Sequence, residues 1–101
     1  MSPPTLLRKL ILQIVRKDVF IQNRKGLHAR ASAQVVKLAE SFEAKTTIHF
    51  QGMSVSTQSI MDLLMLGAGQ GSHLFVEGEG ADADQAVSAL VELINNQFGE
   101  G

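Results

Sequence analysis

Hydrophobic and polar residues alternate in three segments of the chain, which is typical of strands that bury one face. In three other segments the apolar residues recur at helical spacing. After the predicted turn at Gln51-Gly52, the chain returns as a short fourth strand. In chain order, the predicted elements are strand 18–22, helix 29–42, strands 45–50 and 53–55, helix 59–66, strand 72–77 and a last helix that carries Phe98.

This order predicts an α+β fold, an open-faced β-sandwich in which one mainly antiparallel sheet carries its helices on a single face. The alternation turns Val19, Ile21, Ile48, Phe50, Leu74 and Val76 inward. It turns Phe20 and Phe75 toward the open face, where they form an exposed apolar patch if their strands are neighbours.

Residues 1–16 are predicted to be an N-terminal extension to a domain spanning residues 17–99. The extension carries apolar residues at helical spacing with basic residues between them: Leu6, Leu7, Leu10, Ile11, Ile14 and Val15, with Arg8, Lys9 and Arg16. Such a segment binds a membrane surface, binds a partner or packs on its own domain. It has no signal-peptide cleavage site, and it is the nearest cover for the open face.

Composition excludes several classes of site. The chain has no cysteine, so it contains neither a disulfide nor a thiolate metal site. Its net charge of −1 gives no reason to expect a nucleic-acid partner, and no apolar run is long enough to cross a membrane. His49 and His73 lie outside metal-ligand spacing with His28, and residues 67–71 lack the lysine of a phosphate-binding loop. We therefore expect a cytoplasmic protein without a metal or cofactor.

The segment Gly26-Leu27-His28-Ala29-Arg30 is the strongest candidate for chemistry. It places His28 after a tight glycine turn and at the start of a helix, where free backbone N–H groups attract an anion. Neutral imidazole can accept and release a phosphoryl group near neutral pH, and the Arg30 guanidinium suits phosphate oxygens. Arg24 and Lys25 add positive charge, although clustered charges are also common on an ordinary solvated surface. The segment predicts a phosphohistidine carrier.

These residues resemble the active centre of HPr, the phosphocarrier of the bacterial phosphotransferase system. The resemblance continues through Ser54–Gly67, Gly71 and Ala81–Ala86, and it covers about residues 17–99. It implies four antiparallel strands, three helices and a monomer. It also implies that His28 accepts a phosphoryl group on Nδ1 from enzyme I, which phosphoenolpyruvate has charged, and passes it to an EIIA-type protein. Arg30 matches the family's active-site arginine.

One departure from the family pattern affects the pathway. Ala31 stands where the sugar-transport members have proline, so the motif looks more like the nitrogen-related branch, NPr. The departure puts sugar transport in doubt, but it leaves phosphorylation of His28 possible.

Ser59 precedes the short second helix and has two interpretations. It is a good helix N-cap, a task that Ser56 could also perform. By resemblance it aligns with the serine that HPr kinase/phosphorylase phosphorylates in some family members, and a phosphate there would oppose transfer at His28. The resemblance further implies a docking surface formed by the second helix and the start of the first. Its candidate residues are Arg24, Lys25, Ile60, Met61 and Leu64.

Two alternatives to the carrier remain open. One is a regulatory HPr paralogue that acts by docking through Ser59, and the other is a small ligand-binding regulatory domain with an internal pocket. None of these is an enzyme that turns over a small substrate. The carrier alone requires His28, so a His28→Ala variant separates it from the two alternatives.

Overall fold

The computed structural model describes residues 13–100, which form a four-stranded antiparallel sheet with three helices. The strand order is β1-β4-β2-β3, and the element order matches the one predicted from the hydrophobic pattern. The elements are β1 (Ile14–Phe20), α1 (Ala29–Ala39), β2 (Lys45–Phe50), β3 (Met53–Ser56), α2 (Ile60–Met65), β4 (His73–Glu79) and α3 (Ala83–Asn95), followed by a 3-10 turn at Gln97–Gly99.

The first strand begins earlier than its alternating pattern indicated. Ile14 pairs with Glu79 and Phe20 pairs with His73, so β1 runs along the whole of β4. The predicted amphipathic helix is therefore wrong for Ile14, Val15 and Arg16, because the backbone of β4 recruits these residues into the ladder. The remainder of that prediction, residues 1–12, lies outside the described part of the chain.

Two helices are shorter than their apolar spacing predicted. α1 ends at Ala39 with Glu40 as its C-cap, and Phe42 follows in the loop, where it packs against a small cluster of buried alanines. α3 ends at Asn95. Phe98 was predicted to continue this helix, but it has φ +54° and lies in the 3-10 turn. Its side chain is nevertheless only 1 % exposed, so it reaches the core from a different backbone conformation.

The core lies between the sheet and the helices, as predicted for a sheet with one covered face. Val19, Ile21, Ile48, Leu74 and Val76 all point into it and are at most 4 % exposed. From the helices, Val35, Leu63, Val87, Leu90 and Ile94 fill the same layer and are fully buried. Each such side chain contributes about 1.5–3 kcal/mol through removal of apolar surface from water.

Asp82 joins α3 to the loop before β2. It stands at the N-cap position of α3, but its carboxylate makes no bond to that helix. Instead, its Oδ2 and Oδ1 atoms accept hydrogen bonds from the backbone N–H groups of Glu43, at 2.9 Å, and Ala44, at 2.7 Å. The carboxylate of Asp82 therefore holds the loop in place and does not cap the helix. Within residues 13–100, no helix is long and apolar enough to cross a membrane.

Candidate functional site

A tight turn sets the backbone in front of α1. The N–H of Gly26 donates to the carbonyl of Asn23 at 3.2 Å, and Gly26 adopts φ +65°. Leu27 then donates its N–H to the carbonyl of Ala68 at 2.9 Å, which ties this loop to the one that follows α2. A Cβ atom on Gly26 would lie 2.5 Å from that same carbonyl oxygen, so both the backbone angle and the close approach require glycine here.

His28 is the N-cap residue of α1. Its backbone is extended, with φ −76° and ψ −179°, and its carbonyl accepts the N–H of Ser32 at 2.8 Å. This bond occupies the Ser32 amide, so Ser32 is not among the free N–H donors at the start of α1. The first-turn residues Ala29, Arg30 and Ala31 have no acceptor one turn earlier in the helix, so the positive end of α1 still lies beside the imidazole.

Glu100 contacts His28 from the far end of the chain. The Nε2 atom of His28 lies 2.7 Å from Oε2 of Glu100, and the two side chains are 25 % and 26 % exposed. Asn23, which is buried, donates its side-chain N–H to the other carboxylate oxygen at 2.7 Å and to the carbonyl of Gly26 at 2.9 Å. Sequence reasoning missed Glu100 and Asn23, because no local pattern connects either residue with His28.

This contact assigns different roles to the two ring nitrogens of a neutral His28. If Nε2–H donates to the Glu100 carboxylate, the lone pair lies on Nδ1. The hydrogen bond from His28 is the main cause that lowers the pKa of Glu100 below its ordinary value. The Asn23 bond and the positive charge of Lys25 act in the same direction, and loss of solvation opposes them. Near neutral pH the partner of His28 is therefore a carboxylate anion.

Basic side chains surround an open cleft of about 500 Å³ beside this pair. Arg24, Lys25 and Arg30 line it together with Glu100 and the 3-10 turn. The three cations are exposed, and only one carboxylate of the described residues is among the lining groups. Such a cleft favours an anion by charge and supplies guanidinium groups for phosphate oxygens.

Ser59 is the N-cap of α2. Its hydroxyl oxygen accepts the backbone N–H of Asp62 at 3.2 Å, and the residue is partly buried. Ser56 was the alternative cap, but its hydroxyl accepts the N–H of Gln58 in the preceding turn instead. The interpretation of Ser59 as a helix N-cap is thereby confirmed, and Gly67 follows the helix in the left-handed conformation.

The exposed residues of α2 are mostly apolar, and Asp62 is the charged residue among them. Ile60 is 40 % exposed and Met61 is 68 % exposed, because consecutive apolar residues of one helix cannot all point inward. Leu64 is only partly exposed, whereas Met65 is 71 % exposed and was missed by the sequence argument. α2 packs against α1, so this apolar surface and the start of α1 lie on adjoining elements.

The other two histidines lie on the open face of the sheet. His73 contacts Oδ2 of Asp18 at 3.0 Å through Nε2, and the Nδ1 atom of His49 lies 2.6 Å from the hydroxyl of Ser54. Neither residue stands at a helix N-terminus. Over residues 13–100, no group of three or more histidine and carboxylate side chains is arranged to hold a metal ion.

Comparison with known families gives a match over most of the chain. Residues 15–96 match the family model described as "PTS HPr component phosphorylation site". The chain is 43 % identical over 88 residues to the phosphocarrier protein HPr of Cupriavidus necator, covering 87 % of this chain and 99 % of that protein. It is 38 % identical to the phosphocarrier protein NPr of Shewanella violacea, covering 85 % of this chain and 94 % of that protein.

Solved structures agree with the sequence match. The crystal structure of HPr-C-His from Thermoanaerobacter tengcongensis superposes with a TM-score of 0.82 at 36 % identity, covering 86 % of this chain and 98 % of that one. The phosphocarrier protein HPr of Bacillus anthracis gives a TM-score of 0.78 at 35 % identity, covering 81 % of this chain and 98 % of that one. The predicted open-faced α+β fold is thereby confirmed.

Proposed function

The chain belongs to the HPr family of phosphocarrier proteins, and on that premise we propose that Nδ1 of His28 is the atom that carries the phosphoryl group. The observation that carries this proposal is the position of the imidazole. His28 occupies the N-cap position of α1, and a carboxylate oxygen of Glu100 lies 2.7 Å from its Nε2 atom. A phosphorylated enzyme I is the proposed donor, and an EIIA-type protein is the proposed acceptor.

The transfer follows from the roles of the two ring nitrogens. The Nδ1 lone pair attacks the phosphorus atom, a new N–P bond forms, and the bond from phosphorus to the donor breaks so that the donor leaves with its electron pair. The imidazole gains positive charge as Nδ1 is phosphorylated. Glu100 faces this charge through Nε2–H, and the carboxylate both fixes the tautomer before attack and stabilises the charged ring during it. Passing the group onward reverses the same step.

Arg30 and the first turn of α1 act on the phosphoryl oxygens. The backbone N–H groups of Ala29, Arg30 and Ala31 have no helical acceptor, so they are free to donate to a phosphoryl group on His28. The Arg30 guanidinium adds a fixed positive charge beside the cleft. The Arg30 side chain is exposed to water, which keeps its stabilisation of the phosphoryl group moderate, and a carrier needs that because it must also release the group.

The partner surface combines charge with flexible apolar contact. Arg24 and Lys25 offer positive charge to an acidic partner, and Ile60, Met61 and Leu64 offer adaptable apolar contact beside it. A carrier must bind a donor and an acceptor in turn, and methionine suits such alternating use. Ala31, in place of proline, favours the nitrogen-related relay over sugar transport as the pathway.

The deciding experiment is phosphorylation by enzyme I and phosphoenolpyruvate, followed by the intact mass of the product. We expect a gain of one acid-labile phosphoryl group in the parent chain and none in His28→Ala. His73→Ala is the matched control, because His73 also contacts a carboxylate, at 3.0 Å, but lies on a strand. No gain in the folded parent chain with a competent cognate enzyme I would overturn the carrier role and favour regulation by docking.

We also propose that Ser59 is a regulatory phosphorylation site for HPr kinase/phosphorylase. Phosphorylation would replace a hydroxyl that caps α2 with a dianion beside Ile60 and Met61, which adds charge to an apolar docking surface. The expected product is acid-stable and absent in Ser59→Ala, with Ser56→Ala as the control. A Ser59→Asp variant should accept phosphoryl from enzyme I more slowly. If its rate equals that of the parent chain, charge at Ser59 does not regulate the relay.

A further inference from the structure

β1 is an edge strand of the sheet. It pairs with β4 on one side, and no strand among residues 13–100 pairs with its other side. It is the longer of the two edge strands, with seven residues against four in β3. A recess of about 480 Å³ is open at this edge, and Lys17, Asp18 and Val91 of α3 are among its lining residues. An open edge of this length offers a row of backbone N–H and C=O groups for pairing with another chain.

The hydrogen bonds near its ends show which residues of β1 direct their backbone groups to the open edge. Ile21 donates its N–H to the carbonyl of Ser72 at 2.9 Å and accepts the N–H of Gly71 at 2.8 Å. At the other end, the carbonyl of Gln13 accepts the N–H of Gly80 at 3.0 Å. In an antiparallel ladder, residues that bond to one neighbour alternate with residues that point the other way. The odd-numbered residues of β1 therefore bond to β4, and the backbone groups of four even-numbered residues point outward: Ile14, Arg16, Asp18 and Phe20.

The side chains of these four residues are exposed on the open face of the sheet, opposite the helices. At the two ends of β1, Ile14 is 63 % exposed and Phe20 is 53 % exposed. The expectation that Phe20 and Phe75 share this face is confirmed, with the ring of His73 lying 4.4 Å from the first and 4.8 Å from the second. β1 thus presents an apolar side chain at each end of its outward-pointing row.

The sequence of β1 is complementary to itself in the antiparallel direction. If β1 of a second copy pairs with the open edge about Lys17, Ile14 lies opposite Phe20 of that copy. In the same register, Arg16 lies opposite its Asp18. Even-numbered residues then face even-numbered ones, as the direction of the backbone groups requires. The contact covers both exposed apolar ends and forms two pairs of opposite charge.

Charge also favours this register over its neighbours. A shift by two residues keeps the backbone directions, but it places Arg16 opposite Arg16 of the second copy or Asp18 opposite Asp18, and like charges in direct opposition are destabilising. Lys17 lies on the two-fold axis. Its Nζ atom is turned to α3 of its own chain, 2.9 Å from Oγ of Ser88 and 3.9 Å from a carboxylate oxygen of Asp84. The two ammonium groups are therefore not directed at each other across the axis.

We propose that β1 is a homodimer interface, at which two copies of this chain pair their β1 strands antiparallel about a two-fold axis at Lys17. The contact joins two four-stranded sheets into one continuous sheet. A single pair of strands buries little area and holds a dimer weakly, so the monomer implied by the family resemblance is the dilute form. The interface is independent of phosphoryl transfer, because neither His28 nor Arg30 lies on β1.

The first test exchanges the charges that face each other across the axis. Sedimentation of the complete chain over about a hundredfold range of concentration should show a rise toward the dimer. Arg16→Asp and Asp18→Arg each place like charges in opposition, so each should raise the dissociation constant by about tenfold. The chain with both substitutions restores opposite charges and should return to within about threefold of the parent chain. Far-UV circular dichroism checks that each variant is folded.

The second test captures the register with a disulfide. The chain has no cysteine, so Lys17→Cys introduces a single thiol on the two-fold axis. The paired Cα atoms lie about 4.5 Å apart there, which is within reach of a disulfide. Ile14→Cys is the matched control on the same strand, because its counterpart in the second copy lies about 20 Å away. We expect mild oxidation to produce a covalent dimer of the Lys17→Cys chain and none of the Ile14→Cys chain.

Three results would overturn the proposal. Sedimentation of the parent chain as a monomer at every concentration would mean that the edge of β1 does not pair with itself. A dimer that is insensitive to both single charge substitutions would place the contact on another surface. Equal cross-linking of the two cysteine variants would contradict the register about Lys17. None of these results bears on the phosphorylation of His28, which the intact-mass experiment decides separately.

Discussion

The Nε2 atom of His28 lies 2.7 Å from Oε2 of Glu100, a residue that follows it by 72 positions in the chain. The 3-10 turn brings Glu100 back to the start of α1, and burial of Phe98 in the core anchors that turn. Asn23 fixes the other carboxylate oxygen, so the carboxylate has a defined orientation toward the imidazole. The Nε2 atom of His28 is therefore engaged with Glu100, and Nδ1 is the ring nitrogen left to react.

Replacement of Glu100 by glutamine should slow phosphorylation of His28. The amide keeps the shape of the side chain but removes the negative charge that faces the ring as it becomes cationic. Because the pair is partly exposed, we expect a decrease of up to about fivefold in the rate of phosphoryl acceptance. Rapid-quench kinetics with phosphorylated enzyme I measure this rate. Glu92→Gln is a suitable control, since that exposed carboxylate lies on α3, outside the cleft.

The same contact should depend on pH in one direction. The pKa of Glu100 is lowered, mainly by the hydrogen bond from His28, so the bonded form is the carboxylate. Stability from this contact is complete above the ordinary carboxyl pKa and is lost as pH falls through the lowered value. An NMR titration of the Glu100 side-chain carbon should give a midpoint below the ordinary pKa of a glutamate carboxyl. A His28→Ala variant should move it upward, and an unchanged midpoint would mean that the contact does not persist in solution.

Gly26→Ala should destabilise the protein more than Gly67→Ala, although both glycines have a left-handed backbone. Its Cβ would meet the Ala68 carbonyl oxygen at 2.5 Å and the Gly69 Cα at 2.7 Å, in addition to the strain of φ +65°. We expect a loss of about 2–4 kcal/mol in the free energy of unfolding, measured by urea denaturation.

Gly67→Ala provides the matched control. Gly67 has φ +64°, but a Cβ there would meet nothing within 4 Å. The variant therefore measures only the cost of placing alanine in a left-handed backbone conformation. A loss of about 1 kcal/mol is expected. Equal losses for the two variants would show that the loops before α1 and after α2 move apart freely, and that their contact does not hold His28 in place.

Local alternation and helical spacing predicted the order of elements and the inward positions of the sheet, because both depend on which side chains a single element buries. They did not predict where β1 begins. Ile14 and Val15 fit a helical pattern, and only their pairing with Glu79 and Gly78 makes them a strand. Phe98 fits the spacing of α3, yet the left-handed backbone at Gln97 ends that pattern.

The candidate site likewise contains some residues that the sequence revealed and others that only the fold revealed. Gly26, His28 and Arg30 are neighbours in sequence, so a motif reveals them together. Glu100 and Asn23 contact His28 or its partner only through the folded chain, and neither residue type is unusual in a loop. A carboxylate near the C-terminal end of a small domain becomes informative once the path of the chain is known.

Arg30→Ala should weaken phosphorylation without unfolding the protein. Arg30 is exposed in the first turn of α1 and lines the cleft beside Glu100. Loss of its charge near the phosphoryl oxygens should reduce kcat/KM with enzyme I by about 10–100-fold, which corresponds to one charge-assisted interaction in the transition state.

Lys37→Ala tests whether this effect belongs to the site or to overall charge. Lys37 is exposed in the last turn of the same helix, so its removal changes the net charge equally at a distance from His28. We expect kcat/KM with enzyme I to fall by less than about threefold. Added salt should abolish this decrease, because it reflects only long-range electrostatic attraction. Equal decreases in kcat/KM for both variants would mean that Arg30 contributes only to general electrostatic attraction between the two proteins.

Met61→Ser should impair partner binding while it leaves stability unchanged. Met61 is 68 % exposed on α2, so the free energy of unfolding should change by no more than about 0.5 kcal/mol. Loss of one adaptable apolar contact should raise KM for enzyme I roughly three- to thirtyfold with little change in kcat, and Met65→Ser, at 71 % exposure, should act in the same direction. Ile14→Ser removes an apolar group of similar exposure from the opposite face of the sheet, and it should leave KM unchanged. A rise in KM for Ile14→Ser but not for Met61→Ser would mean that enzyme I docks on the open face of the sheet and not on α2.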